Sequence, residues 1–159
     1  MKKLILLLLL LTFVLPVQAR RGGNFGLGII LGAPTGFAFK KWTNSQNAVS
    51  GAIAFGSGAS AHSNYYWSDP DLYLQASYLW HNFNAIPLDG GAAMPLYAGV
   101  GGRVIVGDPF QMGVRVCGGV SIIPASMPLD FFLEFGVTVD VFEEPGAMPD
   151  AGLGARFYF

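Results

Sequence analysis

From Leu129 to Val141 the chain alternates two kinds of residue without a break. The odd positions, Leu129, Phe131, Leu133, Phe135, Val137, Val139 and Val141, are all apolar, and the even ones are Asp130, Phe132, Glu134, Gly136, Thr138 and Asp140. A helix would scatter these carboxylates around its circumference; a strand, with a side-chain period of two, gathers them on one face. The pattern recurs. Met112, Val114, Val116, Val120 and Ile122 alternate with Gly113, Arg115, Cys117, Gly119 and Ser121, and Leu96, Ala98, Val100 and Val104 with Tyr97, Gly99, Gly101 and Arg103. Leu72, Leu74, Ala76, Tyr78 and Trp80 oppose Tyr73, Gln75, Ser77 and His81; Val49, Ile53 and Phe55 oppose Ser50, Ala52 and Ala54. Phe25, Leu27, Ile29 and Leu31 oppose Gly26, Gly28, Ile30 and Gly32. The segment from Phe37 to Trp42, less regular because Lys40 and Lys41 adjoin, and the segment from Asp150 to Phe159 bring the strands to eight.

Turn chemistry fills the breaks: Ala33-Pro34-Thr35, Thr43-Asn44-Ser45-Gln46-Asn47, Gly107-Asp108-Pro109, Pro124 to Pro128 and Glu144-Pro145-Gly146. Ahead of the first strand, Lys2 and Lys3, the apolar run Leu4 to Leu15 and the small-residue site Val17-Gln18-Ala19 have the order of a secretory signal peptide. The 14 residues from Leu4 to Val17 include a proline and fall short of the ~20 that a membrane helix requires. No cysteine adjoins the cleavage point to accept a lipid. Cleavage after Ala19 leaves residues 20–159 as one domain of 140 residues, or 17.5 for each strand with its connection. A membrane strand takes roughly 9–11. Eight antiparallel strands of that length can close into an up-and-down barrel, and closure removes exposed edges.

Composition bears on which face is wet. Of the 159 residues 52% are hydrophobic and only 12% charged, about half the usual charged share of a soluble domain. A lipocalin-like soluble barrel would put its apolar set inside and charges outside. Here the apolar faces are full-sized, while the opposite faces are rich in glycine and too short of charge to solubilise an exterior. Those opposite faces hold few, strong groups, Arg103, Arg115, Glu134, Asp140 and Arg156, which suit a narrow packed interior. Aromatics gather at strand ends, among them Trp42, Tyr65, Tyr66, Trp67, Tyr78, Trp80, Phe157 and Phe159, as interfacial girdles require. The expected fold is therefore all-β, an eight-stranded antiparallel transmembrane β-barrel with short connections. Tyr73, Tyr97, Phe132 and Tyr158 are expected to help fill its interior.

The last residues sharpen this. In Gly152-Leu153-Gly154-Ala155-Arg156-Phe157-Tyr158-Phe159, Gly154, Phe157 and Phe159 match the terminal β-signal of bacterial outer-membrane proteins, while Gly152 stands where a polar residue is usual. With the signal peptide and eight alternating segments, the chain resembles the small outer-membrane barrels of the type of the OmpA transmembrane domain and OmpX. The resemblance implies export through Sec, insertion by the barrel-assembly machinery, residence in the cell outer membrane, and contact with its lipids and lipopolysaccharide. It says little about activity.

Catalytic and cofactor signals are weak. Gly26-Leu27-Gly28 and Gly99-Val100-Gly101-Gly102 neither complete a dinucleotide fingerprint nor lead into a helix, and no cofactor is expected. His62 and His81, with Ser60, Ser63 or Ser77, are the candidates for nucleophilic chemistry. Lipid A deacylases of barrel architecture resemble one another in a His-x-Ser pair with a nearby Glu, a spacing that neither His62-Ser63 nor His81-Asn82 has. The expectation is a non-enzyme serving envelope structure or surface interaction. Cys117, the sole cysteine, cannot form a disulfide within the chain and reads as a small buried residue. Seven basic residues against ten acidic ones in residues 20–159 offer no footprint for nucleic acid. In the connection from Ser57 to Pro70, Tyr65, Tyr66 and Trp67 form either a surface contact or part of a headgroup-level girdle.

A hairpin around Glu144-Pro145-Gly146-Ala147 sets Asp140 opposite Asp150 and Glu134 opposite Arg156, and a turn at Asp108-Pro109 sets Arg103 opposite Arg115. The inward ions then form a network in which the two arginines draw on Glu134 or Asp140.

Overall fold

The computed structural model describes residues 23–55, 72–107, 110–141 and 146–159. Eight strands form one closed antiparallel barrel: β1 (Phe25–Gly32), β2 (Gly36–Trp42), β3 (Asn47–Phe55), β4 (Leu72–Asn82), β5 (Leu96–Val106), β6 (Gln111–Ile122), β7 (Leu129–Asp140) and β8 (Gly146–Tyr158). Each pairs with its neighbour in sequence, and β8 closes on β1. A 3₁₀ turn, Asp89–Gly91, sits in the connection between β4 and β5. That connection is tied down at the terminal end of the barrel, where Ala93 bridges Ile123.

A path across the ladders shows how the barrel is built. From Gly26 it passes through Lys40, Ser50, Ser77, Gly101, Arg115 and Thr138 to Met148 on β8, ten residues from Tyr158, which Gly26 itself faces. With ~3.3 Å per residue along a strand and ~4.8 Å between strands, this stagger tilts the strands by about 40°, inside the range that lets a sheet close. A barrel of eight strands has an interior just wide enough for side chains to fill.

The alternation resolves as the sequence implies. Lys40, Arg103, Arg115, Asp130, Glu134, Asp140 and Arg156 are buried inside, together with Tyr73, Tyr97, Phe132 and Tyr158. Leu27, Ile29, Phe37, Val114, Val116, Phe135, Val139 and Leu153 are exposed outside. This arrangement is the reverse of a lipocalin-like barrel. In β2 the adjacent lysines part: Lys40 points in, and Lys41, beside the turn to β3, points out. Lys41 is the one charged side chain on the outer face of the described strands.

Four expectations need correction. β8 starts at Gly146, not Asp150, because Gly146 and Ala147, read as turn residues, pair with Asp140 and Val139. The register follows that shorter connection: Arg156 faces Asp130, Glu134 faces Gly152, Asp150 faces Gly136, and Asp140 faces Gly146. Arg103 and Arg115 do not face each other either; they face Gly113 and Gly101. Trp42, read as a girdle residue, is an inward side chain, 8% exposed.

The wall is uneven. β1 and β2 have 8 and 7 residues, against 12 and 13 in β7 and β8. β1 therefore stops opposite Gly152, and the first residues of β8 pair with β7 alone. Ala151 turns its carbonyl towards β1, where the Ala33 N–H takes it at 2.8 Å. Two residues back, Pro149 lies on the same free edge, and lacking an N–H it leaves no donor unpaired there.

Candidate functional site

Among the described residues the interior carries four cations, Lys40, Arg103, Arg115 and Arg156, and four carboxylates, Asp130, Glu134, Asp140 and Asp150. Their formal charges cancel. They sort into two triads and a pair.

The triad nearest the termini is centred on Asp130. Its Oδ2 accepts from Lys40 Nζ at 3.2 Å, Arg156 Nη1 at 3.4 Å and the Tyr158 hydroxyl at 3.1 Å. Arg156 also donates to the Ser50 hydroxyl at 3.2 Å. Two cations share one carboxylate here, and aromatic faces take up the excess: Lys40 Nζ lies 4.4 Å from the Trp42 ring centre and 5.5 Å from that of Tyr97, and the Arg156 guanidinium lies 3.6 Å over Phe132. A ring quadrupole attracts a desolvated cation.

The second triad has the opposite balance. Arg115 holds Asp150 through Nε, at 2.9 Å, and through Nη2, while its Nη1 meets Glu134 Oε1 at 3.0 Å. One cation serves two carboxylates, and the Tyr97 hydroxyl donates to Glu134 Oε2 at 3.0 Å. Arg115 on β6 reaches Asp150 on β8 across β7 because the residue between is Gly136. A Cβ there would lie 2.4 Å from Arg115 Nη2. The pair, Arg103 with Asp140, stands further from the termini, with Met148 Sδ accepting from the same Arg103 Nη2 at 3.2 Å.

All five interior ions expected from the sequence, Arg103, Arg115, Glu134, Asp140 and Arg156, thus lie inside the barrel and are ion-paired, with different partners from those expected. Asp150, placed inward opposite Asp140 from the sequence, pairs with Arg115 instead, and Lys40 and Asp130 complete the set. The signal that would have found these two was present: Asp130 falls on the polar side of its alternation, and Lys40 on the side opposite Phe37 and Phe39. Gly154, Phe157 and Phe159 have distinct surroundings. Gly154 faces inward, where a Cβ would lie 2.5 Å from the Phe132 ring. Phe157 and Phe159 point outward, 47% and 64% exposed, with ring centres 5.3 Å apart.

His81 points inward, its Nδ1 donating to the Gln46 carbonyl at 3.0 Å and its ring 4.5 Å from Trp42 and 5.1 Å from Tyr97. His62, Ser60, Ser63, Tyr65, Tyr66 and Trp67 lie outside the described residues. Among the described residues, no group of three His, Cys, Asp or Glu side chains has the arrangement of a metal site. Cys117 is buried and free, on the inward side of β6. Comparison of the chain with family models, with curated proteins and with solved structures finds no match.

Proposed function

We propose that the protein is a non-catalytic integral barrel of the bacterial outer membrane, closed to solutes by its own side chains, that serves envelope structure or surface interaction. The observation that carries this reading is the inversion of polarity between the two faces. A soluble monomer seldom shows an apolar patch beyond roughly 300–600 Å², whereas here the outward side chains of every strand are apolar or small except Lys41, Asn47 and Asn82 near the terminal end. Lys41 stands where its ammonium reaches the headgroup level while its stem stays in the apolar band. Phe25, Trp80, Phe157 and Phe159 lie exposed at the same end, as an interfacial girdle would. Over the height where all eight strands pair, the closed ladder leaves no backbone group unpaired towards lipid.

The signal-peptide pattern and the terminal Gly154, Phe157, Phe159 pattern support the outer membrane as the destination and the barrel-assembly machinery as the partner that recognises Phe159. The filled, charge-balanced interior supports a barrier rather than a channel. The test is fractionation of cells producing the full chain. The protein is expected with the outer membrane, resistant to carbonate extraction, and shifted on a gel when left unheated. Deletion of Phe159 is expected to lower the inserted amount while the purified variant still refolds in detergent. Recovery as a soluble periplasmic monomer would overturn the reading.

A further inference from the structure

At the terminal end a cavity of about 320 Å³ lies between the mouth of the barrel, the β4–β5 connection and the β6–β7 connection. Its walls include Trp42, Phe83, Ile123, Met127, Leu129 and Tyr158. None of the described residues lining it is charged, and the single side-chain oxygen among them, that of Tyr158, is turned inward to Asp130. An uncharged lining dominated by apolar side chains favours an apolar occupant. At the ~30 Å³ that one water or a group of similar size fills, there is room for about ten. The cavity is also continuous with the outer apolar face: Leu129, one of its wall residues, points outward on β7 opposite Phe157, and Met127 is 47% exposed.

We propose that this cavity holds one alkyl chain of a membrane phospholipid from the leaflet at the terminal end, entering past Met127 and Leu129. An uncharged, elongated apolar group is what the lining accepts, and the outer face beside the entrance is where the membrane reading places lipid tails. The inference rests on that reading. The bound chain would pack on Trp42, whose ring centre lies 4.4 Å from Lys40 Nζ, so occupancy reaches the first charge triad through one indole.

The experiment uses tryptophan emission. The chain has three tryptophans, Trp42, Trp67 and Trp80. The mature protein with Trp67→Phe and Trp80→Phe reports from inside the barrel, and one with Trp42→Phe and Trp67→Phe reports from the outer face. Both are refolded into phosphatidylcholine vesicles with plain or brominated acyl chains. Trp80 emission is expected to fall with bromination, which tests the membrane reading alone; its failure to do so would sink that reading first. Trp42 emission is expected to fall as well, and to recover when Ala125→Phe, or separately Ala93→Phe, fills the cavity, with Trp80 quenching unchanged. Trp42 emission indifferent to bromination would overturn the proposal. So would quenching that both filling variants leave intact, since it would then pass through the barrel wall, and so would quenching by a free brominated fatty acid but not by the phospholipid.

Discussion

The two triads inside the barrel are mirror images in charge. Around Asp130 two cations share one carboxylate; around Arg115 two carboxylates share one cation. Each excess is met by a different kind of group. The faces of Trp42, Tyr97 and Phe132 take the extra positive charge, while hydroxyl and guanidinium N–H donors take the extra negative charge. Tyr97 serves both, with its ring near Lys40 and its hydroxyl on Glu134. Among the described residues charge neutrality is therefore reached by the two triads together rather than by either alone. Aromatic side chains are thus part of the electrostatics of this interior and not only its filling.

The largest effect is expected at the shared centres. Asp130→Asn leaves Lys40 and Arg156 buried without a carboxylate, and Arg115→Met leaves Glu134 and Asp150 without a cation; stranding a buried charge costs on the order of 3–5 kcal/mol. Urea unfolding in detergent or lipid should show both losses, with Asp130→Asn the milder because aromatic faces remain for its cations. Equal losses would show that the rings contribute nothing electrostatic. Next in size, Tyr97→Phe keeps the ring near Lys40 and removes the bond to Glu134, at about 1 kcal/mol. Its loss should largely vanish in a Glu134→Leu background, where no side-chain partner is left for the hydroxyl. The smallest expected effect is a coupling. Glu134→Gln and Arg156→Met belong to different triads, so their losses should add within about 0.5 kcal/mol. Asp130→Asn with Arg156→Met should fall well short of additive, and the reverse pattern would overturn the register of β7 on β8.

That register is where the reading of the sequence and the fold diverge. Strict alternation decided which side chains share a face: Glu134, Asp140 and Arg156 were placed inward and are inward, and the same holds for Tyr73, Tyr97, Phe132 and Tyr158. The alternation does not decide the partner. Sliding one strand along another by an even number of residues leaves every side chain on its own face, so the periodicity is indifferent to the slip. Arg156 was expected opposite Glu134 and is found four residues away, opposite Asp130; Arg103 was expected opposite Arg115 and faces Gly113, two residues away. Both offsets are even. Strand count, face assignment and the inversion of polarity were set by local chemistry, since a period of two is written residue by residue. Ion partners, the reach of Arg115 across Gly136, the inward turn of Trp42 and the cavity beside it were decided only on closure, when connection lengths and a ten-residue stagger fixed which strands meet and where.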